Sequence, residues 1–177
     1  MFIDEDGWLE GVRFIPSPNY DDRPKDESIN LLVIHNISLP PDDFTGNGVI
    51  ELFTNQIDPD EHPYYQTLIG LRVSTHFFIR RDGTTIQFVS CNKRAWHAGV
   101  SSWQGKERCN DFSIGIELEG SDAVYFTHKQ YGELIALTQS LLKYYPIQHI
   151  VGHCHIAPER KTDPGPCFDW QRYLSEL

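Results

Sequence analysis

Asn30-Leu31-Leu32-Val33-Ile34-His35-Asn36 is the first stretch of the chain to read as a buried strand. Its centre is a short, continuous apolar run with no polar alternation, the pattern of a strand buried on both faces. His35 falls at the C-terminal edge of that strand, and a polar excursion follows. A second apolar run, 147–151, ends in the same way. It leads into Gly152-His153-Cys154-His155-Ile156-Ala157-Pro158-Glu159-Arg160-Lys161-Thr162-Asp163-Pro164-Gly165-Pro166, a segment too rich in proline to read as helix or strand. A chain that leaves a strand end into a rigid loop can aim several side chains into one crevice, where α/β proteins commonly place their sites.

Working outward, residues 1–30 carry Pro16, Pro18 and Pro24 with little periodicity and read as an extended wrapping segment. The excursion 37–73 carries one short helix near 49–55, and an excursion of that length is more often functional than idle. Residues 74–81 and 84–89 flank Asp82-Gly83, a two-residue hairpin signal. From 112 to 119 the chain alternates: Phe112, Ile114, Ile116 and Leu118 point one way, and Ser113, Gly115, Glu117 and Glu119 the other. That is the pattern of a half-buried strand, with an unusual second face of two carboxylates and a glycine. Thr127-His128-Lys129-Gln130 resembles a capping box, and apolar residues then repeat at helical spacing until Pro146. Residues 168–177 suit a short final helix. The expected fold is α/β: a single domain over 1–177, with a central mixed sheet flanked by helices and long loops around a metal site.

With 177 residues the chain is long enough for one core. An apolar share of 40% and 12% aromatics are those of a soluble globular protein. No apolar run approaches the roughly 20 residues of a membrane span. The acidic start, Met1 to Trp8, lacks a secretory pattern, so the expected location is cytoplasmic. Cys91, Cys109, Cys154 and Cys167 have no CxxC spacing and read as free thiols. A net charge of −10 argues against nucleic acid and anionic membranes as partners. An anionic ligand would need specific arginines and lysines.

Eight histidines compete for the chemistry. His62, His128 and His149 read as surface or satisfied residues, and His76 as packed and hydrogen-bonded. His97, between Trp96 and Gly99, is a candidate for ligand contact. His35 and His153 stand out because each closely follows an apolar strand and precedes a polar loop. With Asp163 they make a set of two imidazoles and one carboxylate that suits zinc with a position open for water. Cys154 and His155 are rival ligands; strand alternation would turn Cys154 away from His153 and leave His155 on its face. Glu117 is the candidate general base, with Glu119 on the same face as competitor, and Lys161 could steady an oxyanion.

Several longer stretches, in order, carry a family resemblance. They are His35-Asn36, Arg94-Ala95-Trp96-His97-Ala98-Gly99, 105–111, Ser113-Ile114-Gly115-Ile116-Glu117 and 157–166. Together they resemble the cytosolic zinc amidases that act on 1,6-anhydro-N-acetylmuramoyl peptides. More loosely, they are similar to phage lysozyme-type amidases and peptidoglycan recognition proteins. The resemblance runs almost end to end. It implies zinc on His35, His153 and Asp163, with Glu117 and Lys161 catalytic. It also implies a substrate groove lined by Arg72, Trp96 and Arg108, with Asn36 and Ala157 near them. His155 stands where the family pattern has asparagine, and is expected to face away or touch substrate.

The implied reaction is hydrolysis of the amide between the lactyl carbonyl of an anhydromuramoyl sugar and L-alanine, in cell-wall recycling. A role in controlling β-lactamase induction is implied where the host has that circuit. The expected partner is a small muropeptide, and the expected state a monomer. The rival classes are a metal-free peptidoglycan-binding module and a lysin acting on intact wall.

Overall fold

The apolar run around Val33 does form a buried strand, and it lies inside a six-stranded sheet. A computed structural model describes residues 1–177. In chain order its strands and helices are β1 (Arg13–Phe14), β2 (Tyr20–Asp22), β3 (Leu31–Ile37), α1 (Gly48–Phe53), β4 (Phe77–Ile79), β5 (Thr85–Gln87) and β6 (Lys93–Ala95). There follow β7 (Ser102–Trp103), β8 (Lys106–Glu107), β9 (Ser113–Glu119), α2 (His128–Tyr144), β10 (His149–Gly152), α3 (His153–Ile156) and α4 (Trp170–Ser175). Short 3-10 turns occupy Pro63–Leu68 and Cys109–Asp111.

The sheet order is β1-β5-β4-β9-β3-β10. Its centre, β4-β9-β3-β10, is parallel, while β4 and β5 form an antiparallel hairpin, so the sheet is mixed as expected. Alternation sends Leu32, Ile34, Ile114, Ile116 and Leu118 to one face, where Leu134, Leu137 and Leu141 of α2 cover them. Leu31 and Val33 pack on the other face against Ala98, Cys109, Phe112 and Ile156. Further along that face Phe78, Ile86 and Phe88 pack against Val49, Leu52 and Phe53 of the α1 region. One face is thus closed by a long helix and the other by loops and short turns, and the second arrangement leaves room for a site.

The capping box at the start of α2 is present in full. The Gln130 amide N–H donates to Thr127 Oγ1 at 3.1 Å, and the Thr127 N–H donates to Gln130 Oε1 at 3.0 Å. The Gln130 side-chain amide also donates to Glu119 O and Ile79 O, which fastens the helix start to two strand ends.

Five expectations change. Phe112 does not share the face of Ile114, Ile116 and Leu118, because it caps the 109–111 turn before β9 begins and packs with Leu31 and Val33. The 82–83 hairpin has a three-residue loop, Arg81-Asp82-Gly83, because Arg80 and Thr84 still pair and Gly83 takes the left-handed conformation (φ +90°). The strand at 113–119 is buried throughout rather than half-buried, since loops cover its polar face. The first 30 residues are not only a wrap: β1 extends the main sheet and β2 pairs with β6. The segment after β10 does contain helix, the single turn α3, whose N-terminal residue is His153.

Leu134 is fully buried in the α2 face. Leu134→Ala is expected to cost about 2–5 kcal/mol and Thr127→Ala about 1 kcal/mol in urea unfolding. Tyr125→Ala, at a residue 77% exposed, should stay within about 0.5 kcal/mol. Equal effects at all three positions would contradict this account of the core.

Candidate active site

Parallel register brings the chemistry together. His35 on β3 lies directly opposite Glu117 on β9, and Gly152 at the end of β10 lies opposite Ile34. His153, the next residue, therefore leaves the sheet beside His35. Asp163 returns to the same place from the loop beyond α3. Its backbone carbonyl accepts from the Cys154 N–H at 2.9 Å, and the Asn36 amide donates to Pro164 O and to Asp122. The Asn36 side chain is thus occupied in holding the aspartate loop.

His35 Nδ1, His153 Nδ1 and Asp163 Oδ2 form a near-equilateral triangle of 3.0, 3.0 and 3.1 Å. These three residues form a cluster able to hold a metal ion. The outer nitrogens determine the tautomers. His153 Nε2 lies 3.0 Å from Ala98 O, a carbonyl that can only accept, so the proton sits on Nε2 and the Nδ1 lone pair faces the triangle. His35 Nε2 lies 2.9 Å from His97 Nδ1, and His97 Nε2 lies 3.1 Å from Ser113 Oγ. Protons on His35 Nε2 and His97 Nε2 satisfy that chain and leave the His35 Nδ1 lone pair free as well.

Burial keeps His35 and His97 neutral. His35 is pushed down to about 4, and His97, buried beside three other histidines, falls well below its usual value. Two bare nitrogens and a carboxylate oxygen at such short range repel one another unless a cation sits among them. The donor set fits a metal.

Glu117 Oε1 is 3.9 Å from His35 Nδ1, and its Oε2 is buried with no hydrogen-bond partner. Burial raises this carboxyl well above its usual value, the Asp163 charge adds to the shift, and Lys161 opposes it. Glu119 is committed elsewhere. Its carboxylate accepts from the Arg81 N–H at 2.9 Å and pairs with Arg80 at 3.2 Å. Of the two glutamates, Glu117 is the one with a carboxylate oxygen left without a partner.

A cavity of about 350 Å³ opens over this cluster, lined by Asn36, Trp96, His97, Glu117, His153, Lys161 and Asp163, with an apolar wall that includes Leu39, Tyr64 and Leu71. A larger cleft of about 780 Å³ is lined by Gly99, Arg108, Ala157 and Arg160 among others; the two share no lining residue, though segments 96–101 and 153–161 contribute to both. Arg72 lies outside both, in a smaller depression that shares Leu52, Leu68 and Leu71 with the first cavity. His97 touches His35 and presents only a small part of its surface, 8% exposed, to the first cavity.

The rival ligands stay out of the triangle. Because His153 begins a helical turn, strand alternation does not govern Cys154 and His155. His155 is exposed, accepts the Gly152 N–H on Nδ1 at 2.9 Å and packs on Trp170.

Sequence reasoning missed Ser113 and the purpose of Gly115. A Cβ on Gly115 would lie 2.5 Å from His97 Cγ, so the bare backbone is what lets the imidazole lie against the strand. An isolated glycine inside a strand pattern is the signal for such a close approach.

The family profile described as N-acetylmuramoyl-L-alanine amidase matches residues 25–166. The chain is 59% identical to the 1,6-anhydro-N-acetylmuramyl-L-alanine amidase AmpD of Citrobacter freundii, over 98% of this chain and 93% of that protein. A crystal structure of a selenomethionine derivative of AmpD superposes with a TM-score of 0.97 at 57% identity, covering 100% and 99% of the two chains. The E. coli amidase AmiD, solved as a complex with the substrate anhydro-N-acetylmuramic acid-L-Ala-D-γ-Glu-L-Lys, superposes with a TM-score of 0.62 at 30% identity, covering 98% of this chain and 65% of that one. The chain belongs to the N-acetylmuramoyl-L-alanine amidase family and is an amidase of that class.

Proposed function

We propose that this enzyme uses zinc to hydrolyse the amide between the lactyl carbonyl of 1,6-anhydro-N-acetylmuramic acid and the L-alanine of a stem peptide. The observation that carries the reading is the meeting of three potential metal donors with an unpartnered, buried carboxylate oxygen beside one cavity. The names of the AmpD relatives and the bound anhydromuropeptide of AmiD support the substrate.

Two imidazoles and one carboxylate are a donor set that zinc takes in hydrolases, with a further position left for water or substrate. His35, His153 and Asp163 would hold the ion. When bound there, zinc supplies Lewis acidity, polarising the scissile carbonyl and bringing the pKa of a water near neutrality, to about 7.

The protein's own part is proton transfer and charge placement. Glu117 accepts a proton from the attacking water as its oxygen bonds to the lactyl carbonyl carbon. The same carboxyl gives that proton to the alanine nitrogen as the C–N bond breaks; the second proton of the water then passes from the new carboxyl to the amine, leaving a carboxylate on the sugar and an ammonium on the peptide. Lys161 is close enough for its charge to act on both Glu117 and His35, and would steady the oxyanion that develops between those steps. Trp96, Asn36, His97 and the apolar wall bound the sugar side. Arg72, Arg108 and Ala157 belong to the peptide side, where a chain of net charge −10 needs local cations for the stem carboxylates.

In this reading the enzyme acts as a monomer in the cytoplasm, in murein recycling. It removes muropeptides that signal β-lactamase induction where a host has that circuit. No helix is long and apolar enough to cross a membrane.

The direct test is mass spectrometry of an anhydromuramoyl tripeptide incubated with the enzyme, with and without a zinc chelator. Free tripeptide and anhydro sugar are expected only without chelator; intact substrate with folded, zinc-loaded protein overturns the proposal. Glu117→Gln should keep zinc and lower kcat about 10²–10⁴-fold, whereas Asp163→Ala should lose the metal as well as activity. Zinc retained at full stoichiometry by Asp163→Ala would mean that another side chain completes the site.

The His97–Ser113 chain makes its own prediction. His97→Phe should weaken zinc binding about 10–100-fold, read by competition with a chromogenic chelator. An unchanged affinity would show that His35 needs no outer partner.

A further inference from the structure

The side chains that face the two cavities are joined underneath by a run of charge that neither cavity contains. Asp21 on β2 lies opposite Arg94 on β6. The Arg94 guanidinium grips the Asp21 carboxylate with two N–H groups, Nε to Oδ1 at 2.6 Å and Nη2 to Oδ2 at 2.5 Å. Its third nitrogen, Nη1, reaches Asp111 Oδ1. At one end, the Trp96 indole N–H donates to Asp21 Oδ1 at 3.2 Å. At the other, Arg108 Nε pairs with Asp111 Oδ2 at 3.2 Å. Arg94 is thus the centre of a five-membered ladder, Trp96–Asp21–Arg94–Asp111–Arg108.

The two ends of this ladder are the side chains that look into different cavities. Trp96 lines the one over the metal donors, and Arg108 lines the larger cleft. Arg108 is held only through Nε, which leaves its terminal nitrogens for a ligand. Its side chain is 68% exposed and its backbone takes the left-handed conformation (φ +61°), which a bulky residue adopts at some cost. A second tie runs in parallel: Asn110 Oδ1 accepts the N–H groups of His97 and Ala98 at 3.1 and 2.8 Å. Turn 109–111 and loop 96–98 are therefore one unit.

We propose that Arg94 is a positioning residue for substrate: through Asp21 it sets the Trp96 ring and through Asp111 it sets the Arg108 guanidinium, so that the sugar-facing and carboxylate-facing walls keep a fixed separation. The inference rests on the reading that Trp96 and Arg108 face the muropeptide. A planar guanidinium can bridge two carboxylates with directed bonds, which a lysine ammonium at the same place cannot do. Two arginines and two aspartates also leave the ladder neutral, so it orients the Arg108 charge without adding to it.

The test compares wild type with Arg94→Lys on two substrates, the anhydromuramoyl tripeptide and the same molecule with its stem-peptide carboxylates amidated. For Arg94→Lys the KM on the acidic substrate should rise about tenfold, the size of one charge-assisted hydrogen bond, with kcat and zinc stoichiometry unchanged. On the amidated substrate the wild-type KM should already be high, and Arg94→Lys should raise it by clearly less than on the acidic one, through the Trp96 end of the ladder alone. Asp111→Asn, which keeps the shape of the link, carries the same expectation should Arg94→Lys fail to fold by circular dichroism.

An equal rise on both substrates, an unchanged KM, or a fall in kcat with zinc loss would each overturn the positioning role. A wild-type enzyme that does not turn over the tripeptide at all would overturn the substrate reading and this inference together. Normal wild-type turnover with one of the three adverse results would overturn this inference alone.

Discussion

The site depends on the parallel register of three neighbouring strands. β9, β3 and β10 run side by side, so that Glu117 faces His35 directly and His153 follows one residue beyond the point where Gly152 pairs with Ile34. A slip of one residue in β3 would send His35 to the helix-covered face and Ile34 to the site. The apolar layers guard against that slip: Leu32 and Ile34 are buried against α2, while Leu31 and Val33 are buried on the other side. The hydrophobic effect thereby fixes the position of a polar cluster that would be costly to bury by itself.

Around His35, His153 and Asp163 lies a layer of groups that touch their outer edges. The Ala98 carbonyl holds His153 in one tautomer, and the same oxygen accepts from Arg160 at 2.8 Å. His97 does the equivalent for His35, supported from below by Ser113 and admitted by the missing side chain of Gly115. Such outer partners orient ligands and raise their basicity. They account for why a strand facing an aqueous cleft is buried along its whole length: its polar face is covered by the machinery that aligns the ligands.

Electrostatics separate two carboxylates that sequence spacing treats alike. Glu117 and Glu119 share a strand face, yet Arg80 and the Arg81 N–H claim Glu119, while Glu117 is left with an unsatisfied oxygen beside the His35–His153–Asp163 cluster. Availability, more than identity, makes one of them a candidate base. The same reasoning applies to Asn36, whose amide is taken by Asp122 and Pro164 O and so serves the Asp163 loop.

Much of this was legible in the chain before folding. The apolar run at 31–34, the alternation at 112–119 and the capping box at Thr127 are local patterns, and local patterns report which residues must be buried and where a helix starts. They yielded a mixed sheet, a core helix and two strand ends carrying histidines. Family-like stretches then pointed to the two histidines, Asp163, Glu117 and Lys161. Strand adjacency, the turn that carries His153, the role of Gly115 and the Trp96–Arg108 ladder were decided by tertiary structure alone. Each joins residues far apart in the chain, such as His35 with Asp163 or Asp21 with Arg94, and no local pattern encodes a distance between segments that meet only when the core closes.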